Sequence, residues 1–314
     1  MDDGLKKMKK VIAHSPVNIA LIKYWGKTNE QLVLPTTTSV SLTLTDLWTE
    51  TSFEEGDFRF LLNNKAADEK ETNRVKDVLK HFRDDRVIIQ SKNNFPTASG
   101  LASSASGFAA LTVGLNIFFK AQYTLQELAT LTRVGSGSSC RSLVDNFAVW
   151  HRNGSLESLT NPFQHLMMIV VLISEEKKAI SSREAMRITK ETAPSYDQWI
   201  RNSEEDYQTL RKAILNQDFE SLGQTMEKNS ERLHQVMKDS NPSIVYQKPS
   251  SIEVINLVKE ARIKRLIGYT TMDAGPNVKI LIQHHQLTQW QELLKANIPY
   301  RFLVSRIGGK ADAK

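Results

Sequence analysis

Four short stretches of this chain carry residue types whose spacing suits work on a multiply charged anion. The most distinctive runs from Asn93 to Gly107 (NNFPTASGLASSASG) and opens into the apolar-faced stretch Phe108 to Phe119. A small-residue loop that opens a helix offers unpaired backbone N–H groups at the positive end of the helix dipole, which is a physical anion site. The hydroxyls of Ser103 and Ser104 would then stand near phosphate or a magnesium ion. The loop lacks the G-x-x-x-x-G-K-[ST] pattern of a Walker A loop. Small residues also let a helix pack closely, so composition alone leaves both readings open.

Asn18 to Lys27 (NIALIKYWGK) sets two lysines four apart around an aromatic pair. Such lysines can converge on one anion while the rings exclude water; a solvated basic turn has the same composition. A cation 4 Å from a unit charge gains roughly 4 kcal/mol at an effective dielectric of about 20, before desolvation, so a diphosphate needs several. Met272 to Asn277 (MDAGPN) places Asp273 between two apolar runs. Beside Gly-Pro an aspartate is commonly a turn former; in a cleft beside a lysine it could stay ionised and accept a hydroxyl proton. Gly135 to Ser142 (GSGSSCRS) is a second small-residue loop. Arg141 and Arg183 each follow serines, and guanidinium groups suit bidentate recognition of carboxylate and phosphate. Cys140 has no nucleophile signature around it and reads as a packed thiol. The seven histidines show no metal-ligand spacing; His284 and His285 adjoin and are expected on opposite faces of a strand.

These residues need elements to position them. Val11 to Leu21 reads as a first strand running into a turn at Tyr24 to Gly26. Ser39 to Leu44 alternates apolar and hydroxyl residues, the period of a half-buried strand. Thr49 to Phe53 and Phe58 to Leu62 are expected to form a hairpin, Glu71 to Phe82 a helix and Val87 to Ser91 a strand. Leu125 to Leu131 has helical spacing, and the apolar run Leu166 to Ile173 suits a buried strand. Ser203 to Asn216, Glu220 to Met237 and Ser251 to Ala261 read as helices; Gly268 to Met272, Val278 to Gln283 and Tyr300 to Val304 read as strands. Helices and strands mix without regular alternation, so the fold class is α+β in two layers. The lobes are expected at 10–175 and 176–307, with residues 1–9 and 308–314 as unpacked ends.

Composition bounds the function. The chain has 314 residues, 40% hydrophobic and 24% charged, in the globular range. Forty-one basic against 35 acidic residues leave a formal charge of +6, which excludes an acidic solvating protein and favours anionic ligands. The basic residues are spread rather than blocked, so nucleic acid is not implied. A single cysteine excludes an intrachain disulfide and a cysteine-rich zinc module. The eight-residue apolar run is far short of a membrane helix, and the stretch after Lys10 is too broken for a secretory signal, so a cytoplasmic protein without membrane association is expected.

The four motifs, in this order and at these intervals, together resemble the diphosphomevalonate decarboxylase family of the GHMP kinase superfamily. The middle loop resembles the superfamily's P-x-x-x-G-L-x-S-S phosphate loop, and NIALIKYWGK, GSGSSCRS and TMDAGPNVKIL are specific to the decarboxylases. The resemblance covers residues 11 to 285. It implies a two-lobed architecture, with a ribosomal-protein-S5-like N-terminal lobe, a ferredoxin-like C-terminal α/β-sandwich lobe and the active site between them. It also implies a homodimer acting on a small molecule with ATP and magnesium.

Carried over position by position, Asp273 matches the catalytic aspartate, Lys23 the lysine beside it and Asn18 a residue that fixes the pair. Tyr24, Lys27, Ser182 and Arg183 match diphosphate contacts. Arg141 matches the group that holds the substrate carboxylate, with Ser136 and Ser138 in the same pocket. Ser91, Pro96, Gly100, Leu101, Ala102, Ser103 and Ser104 fall where the family contacts ATP, Ser103 as a magnesium ligand. Lys177 or Lys178 lies on the loop that closes over the γ-phosphate. The chain departs from the family at Asp145 and Asn146, where Gly-Gly is frequent; at Ala185; at Thr36 and Thr37; and at Asn241-Pro242-Ser243. Asp145 would add negative charge near an anionic substrate. Rival readings are a phosphomevalonate decarboxylase or a 3-kinase on the same scaffold, and, in a different class, a basic nucleic-acid-binding module. Asp273, Lys23, Lys27 and Arg183 together argue against the first two; a basic stripe with exposed aromatics is missing for the last.

Overall fold

The computed structural model describes residues 10–82, 86–96, 101, 103–176 and 178–314. Gly100, Ala102 and Lys177, three of the expected nucleotide contacts, and residues 1–9 lie outside it.

The N-terminal lobe is a mixed sheet backed by helices. Strand β1 (Lys10–Ile22) is buried continuously from Ser15 onward. After a short ribbon of β2 (Lys27–Asn29) and β3 (Leu34–Pro35) comes β4 (Ser39–Glu55), antiparallel to β1. The two strands expected at Ser39–Leu44 and Thr49–Phe53 are one: the chain runs through, and the register slips from Pro16↔Trp48 to Val17↔Leu44, so a bulge absorbs the extra residues. The expected hairpin of 49–53 with 58–62 does not form. Strands β5 (Arg59–Leu62) and β6 (Lys65–Ala66) pair with each other, and β5 lies parallel to β7 (Val87–Asn93), which takes the edge of β4. Strands β8 (Phe147–Trp150) and β9 (Leu156–Leu159), which the sequence reading missed, extend β4 on its other half.

Three helices belong to this lobe: α1 (Glu69–Leu79), α2 (Ser103–Phe118) and α3 (Leu125–Gly135). Asp68 caps α1 by accepting from the Glu71 N–H at 2.8 Å, and Thr124 with Glu127 forms a capping box on α3. Helix α2 is made almost wholly of small and apolar residues and is correspondingly buried on most sides. Gly114 lets it lie against β4, since a Cβ there would stand 2.0 Å from the Phe53 ring. The second small-residue loop winds into a 3-10 turn, Gly137–Leu143.

Strand β10 (Leu166–Val171) starts the second lobe: it pairs with β12 (Val278–Gln283) and β13 (Phe302–Arg306), and β11 (Gly268–Thr271) lies beside β12. The sheets therefore part before residue 166 rather than near 175, because the apolar run at Leu166 is the central strand of the second sheet. Helices α4 (Ser182–Thr192), α5 (Tyr196–Leu215) and α6 (Phe219–Lys238) precede α7 (Pro249–Ile263) and α8 (Leu287–Asn297). Helices α7 and α8 cover one sheet face through Val254, Val258, Trp290 and Leu294. On the other face Leu210, Leu222 and Met226 join Met168 and Leu281 in one apolar cluster with Val17, Ile19 and Leu42 of the first lobe. The lobes thus share a core. His284 and His285 sit in a 3-10 turn after β12, not within a strand.

The C-terminal tail is not an unpacked end. Strand β14 (Asp312–Ala313) pairs with β1, the Ala311 N–H donates to the Ser142 carbonyl at 2.8 Å, and the Lys314 and Ile12 amides exchange hydrogen bonds. No helix among the described residues is long and apolar enough to cross a membrane.

Candidate active site

The loops gathered where the lobes meet enclose a cleft of about 500 Å³. Asp273 follows β11 and faces it. Its Oδ1 accepts from Lys23 Nζ at 2.9 Å and its Oδ2 from Lys279 Nζ at 3.1 Å; both lysine side chains are almost fully buried, at 2% and 1% exposure, while that of Asp273 is 27% exposed. Burial alone would raise the aspartate pKa. The two ammonium groups outweigh it and hold the carboxyl well below the usual range. Burial, aided by Lys279 and Arg141, brings Lys23 down to about 8 against the pull of Asp273. Lys23 is held at both ends: Nζ also donates to the Ala20 carbonyl at 2.8 Å, and its backbone N–H to Asn229 Oδ1 at 2.8 Å.

Arg141, on the 3-10 turn, is buried and fixed from behind by hydroxyls. Nη1 donates to Ser39 Oγ at 2.7 Å, Nε to Ser41 Oγ at 3.1 Å and Nη2 to Asn18 Oδ1 at 3.4 Å. Asn18 in turn donates to Ser142 Oγ at 2.8 Å and to the Ser138 carbonyl. None of these partners carries charge and Asp273 acts on the guanidinium only through space, so among the described residues it has no salt-bridge partner and can take an anion.

Around this floor the wall is basic. Lys23, Lys27, Lys70, Arg74, Arg133, Arg141, Lys178 and Arg183 line the cleft, and among the described lining residues Asp273 is the one carboxylate. Such a wall concentrates field for a polyanion. The hydroxyl of Tyr24 is buried without a hydrogen-bond partner among the described residues, and burial pushes its pKa well above the usual value. Lys27 pairs with Glu30 at 2.6 Å, and Lys178 donates to Ser182 Oγ at 3.0 Å. Ser136 and Ser138 also line the cleft, Ser136 within 3.3 Å of Ser104 Oγ, which joins the two small-residue loops.

Ser103 and Ser104 begin α2 and line both the cleft and a smaller adjoining cavity of about 90 Å³, between α1, β7 and α2. Ser91 lines the smaller cavity, 3.0 Å from Thr51 Oγ. Leu101 lines the cleft, whereas Pro96 lines neither space. Asp145 does not approach the cleft. Its Oδ1 accepts from the Gly309 N–H at 2.8 Å and the Asn146 N–H at 2.6 Å, so its charge anchors the C-terminal tail rather than opposing a substrate. Cys140 is buried, with its thiol pushed up to about 11 by burial, as a packed residue requires.

Several site residues were not singled out from sequence. Lys279 had a visible signal, a lone cation in the apolar strand VKILIQ six residues after Asp273. Arg74 and Lys70 sit on α1, and nothing in an amphipathic helix marks two cations as cleft-facing. Asn229 and His234 of α6 are buried polar residues within an otherwise ordinary helical pattern.

Two lobes with a shared core, and a lysine-clamped carboxylate at the floor of a basic cleft, define a two-lobed α+β protein with a site suited to a polyanion. Residues 15–160 match the diphosphomevalonate decarboxylase-like N-terminal domain, and residues 168–308 the mevalonate 5-diphosphate decarboxylase C-terminal domain. The diphosphomevalonate decarboxylase of Candida albicans is 34% identical over 85% of this chain and 82% of its own. The mevalonate diphosphate decarboxylase structure from Staphylococcus aureus superposes with a TM-score of 0.93 at 34% identity, covering 99% of each chain. A structure described as MDDEF in complex with MVAPP, AMPPCP and magnesium gives 0.91 at 36% identity, covering 98% of this chain and 99% of that one. The chain belongs to the diphosphomevalonate decarboxylase family.

Proposed function

We propose that the protein catalyses the ATP-dependent decarboxylation of (R)-5-diphosphomevalonate to isopentenyl diphosphate, ADP, phosphate and carbon dioxide, a step of isoprenoid biosynthesis. The observation that carries this reading is the pairing, in one cleft, of the lysine-clamped Asp273 with Arg141, which hydroxyls hold from behind and which has no salt-bridge partner among the described residues.

A tertiary hydroxyl is a poor nucleophile, and hydroxide is a poor leaving group. The 3-hydroxyl oxygen attacks the γ-phosphorus, the bond to ADP breaks, and the hydroxyl proton passes to Asp273. The new phosphate then departs with the C–O electrons. The bond to the substrate carboxylate breaks next, its electrons forming the alkene and releasing carbon dioxide. A carboxylate held well below the ordinary range is a weak base. Asp273 therefore acts first by accepting a hydrogen bond that aims the hydroxyl, and takes the proton late, which suits a loose phosphoryl-transfer transition state. Lys23 and Asn18 hold that geometry. Arg141 holds the substrate carboxylate, with Ser136 and Ser138 beside it, and keeps the C–C bond to be broken aligned with the departing phosphate. Tyr24, Lys27, Ser182 and Arg183 take the diphosphate; the orphaned Tyr24 hydroxyl is the donor such a ligand would satisfy.

ATP is assigned to Ser91, Leu101, Ser103 and Ser104, with Lys178 over its γ-phosphate. The donor set fits magnesium carried by phosphates: no cluster of three His, Cys, Asp or Glu occurs among the described residues, and Ser103 offers one hydroxyl at a helix start. Magnesium bound there would neutralise charge on the transferring phosphoryl group. A homodimer is expected from the family resemblance, and sedimentation would test it. The activity is tested by supplying ATP and magnesium with mevalonate, 5-phosphomevalonate or 5-diphosphomevalonate, and following ADP, phosphate and carbon dioxide together. Equal release of all three from the diphosphate alone is expected. ADP without carbon dioxide would mean a 3-kinase, and turnover of the monophosphate alone the sister decarboxylase.

A further inference from the structure

Lys279 has no place in the reaction as derived so far, yet it is among the most deeply buried side chains of the protein. It lies on β12 opposite Thr271 of β11. Its strand neighbours Val278 and Ile280 face the apolar layer under α7 and α8, so Lys279 points the other way, toward the first lobe and Asp273. It does not line the cleft, whereas Lys23 and Asp273 do. Asp273 is thus gripped from two directions, by Lys23 on the cleft side and by Lys279 from the sheet behind.

Each oxygen of the carboxylate thus accepts from its own buried ammonium group, Oδ1 from Lys23 and Oδ2 from Lys279, so the carboxylate cannot turn without breaking one of the two contacts. We infer that Lys279 is a positioning residue for phosphoryl transfer, which pins Oδ2 of Asp273 so that the carboxylate presents one fixed, ionised edge to the substrate hydroxyl. The inference rests on the assignment of Asp273 made above.

Every charged or titratable group that faces Asp273 among the described residues bears on the test. Lys23 comes from the end of β1, Lys279 from β12, Arg141 from the 3-10 turn, Lys178 from the segment before α4 and His234 from α6. Lys279 lowers the pKa of both Asp273 and Lys23 through its charge. Its removal therefore moves the alkaline limb of the rate profile, set by Lys23, upward. A packing defect would lower the rate without moving that limb.

The experiment compares Lys279→Met, Lys279→Gln and Lys279→Arg with the parent in pH profiles of kcat on 5-diphosphomevalonate, with binding of an ATP analogue as the check on folding. Lys279→Met is expected to lower kcat about tenfold or more, to keep both KM values within about twofold, and to raise the alkaline limb. Lys279→Gln keeps a donor to Oδ2 without the charge and is expected to show the same shift, so it serves if methionine at that depth prevents folding. Lys279→Arg is expected to return the alkaline limb to the parent position even if its size lowers the rate. An unmoved limb in Met and Gln, or a limb displaced in Arg as in Met, overturns the inference. Asp273→Asn is measured alongside. If it turns over near the parent rate, the assignment of Asp273 fails and this inference fails with it; if it is inactive while the Lys279 profiles are unmoved, only this inference fails.

Discussion

Charged side chains under water-free cover are costly, and this protein gathers several around one carboxylate. Lys23 and Lys178, each brought down to about 8 by burial, are the groups with most bearing on working pH. The charge of Lys23 supports Asp273 and that of Lys178 the transferred phosphate, so kcat is expected to fall as pH rises through about 8, well below an ordinary lysine; a flat profile to pH 10 would contradict this. Asp273→Ala should abolish turnover while leaving nucleotide binding nearly intact. Retention of more than about a tenth of the parent rate, a loss of only about 1.4 kcal/mol, would remove Asp273 from the chemistry. His234 tells on stability instead. Burial, with Lys23 nearby, lowers it from 6.5 to about 3, and its Nε2 has no partner among the described residues. Between those values the unfolded chain binds the proton and the folded chain does not. Its contribution is therefore fully present above pH 6.5 and is lost as pH falls toward 3. Denaturant titrations should show stability declining across that window, with His234→Gln flattening part of the decline.

Elements in this fold are placed by close approaches that only glycine permits. Helix α6 carries Asn229, which receives the Lys23 N–H, and it can lie on β11 because Gly223 meets the face of Tyr269. A Cβ at 223 would stand 2.0 Å from that ring. Gly223→Ala is expected to cost about 1–3 kcal/mol by overpacking. It should also lower kcat, because α6 withdraws Asn229 as it shifts; a stable variant with parent kinetics would separate α6 from the site. The same helix links the site to a polar network, where Asn229 donates to Asp206 Oδ2 at 3.1 Å and Arg232 to Asp206 Oδ1 at 2.7 Å. Periodicity identified α6 without difficulty. Which of its polar residues are buried follows from what packs on it, and that is absent from the helix's own sequence.

At the scale of the whole molecule the chain closes on itself. After the second lobe ends at β13, the tail returns to the first, where Gly309 is held by Asp145 and Ala311 by the carbonyl of Ser142. These contacts brace the loop bearing Arg141 from the side away from the cleft. Ending the chain after Ile307 should lower stability and raise KM for diphosphomevalonate, with nucleotide affinity little changed; equal losses for both ligands would argue for a general loosening. The tail GGKADAK looked unpacked because it has hardly any apolar residues. Its attachment is made by backbone hydrogen bonds, which pattern reading does not register.

Taken alone, the sequence determined the two small-residue loops, the Asp273 turn, the Lys23 segment and most helices, because those signals are local in residue type and period. It also determined the family, since four motifs in register are a linear property. Only the tertiary structure decided that Lys279 completes the clamp on Asp273, that Arg74 and Lys70 face the cleft, that β5 pairs with β7 instead of β4, and that Asp145 serves the tail. Each depends on which surfaces meet. A charge's effect is set by its distance and burial relative to its partners in space, near or far along the chain, and a strand's partner by competition for an edge. Neither quantity is written in local spacing.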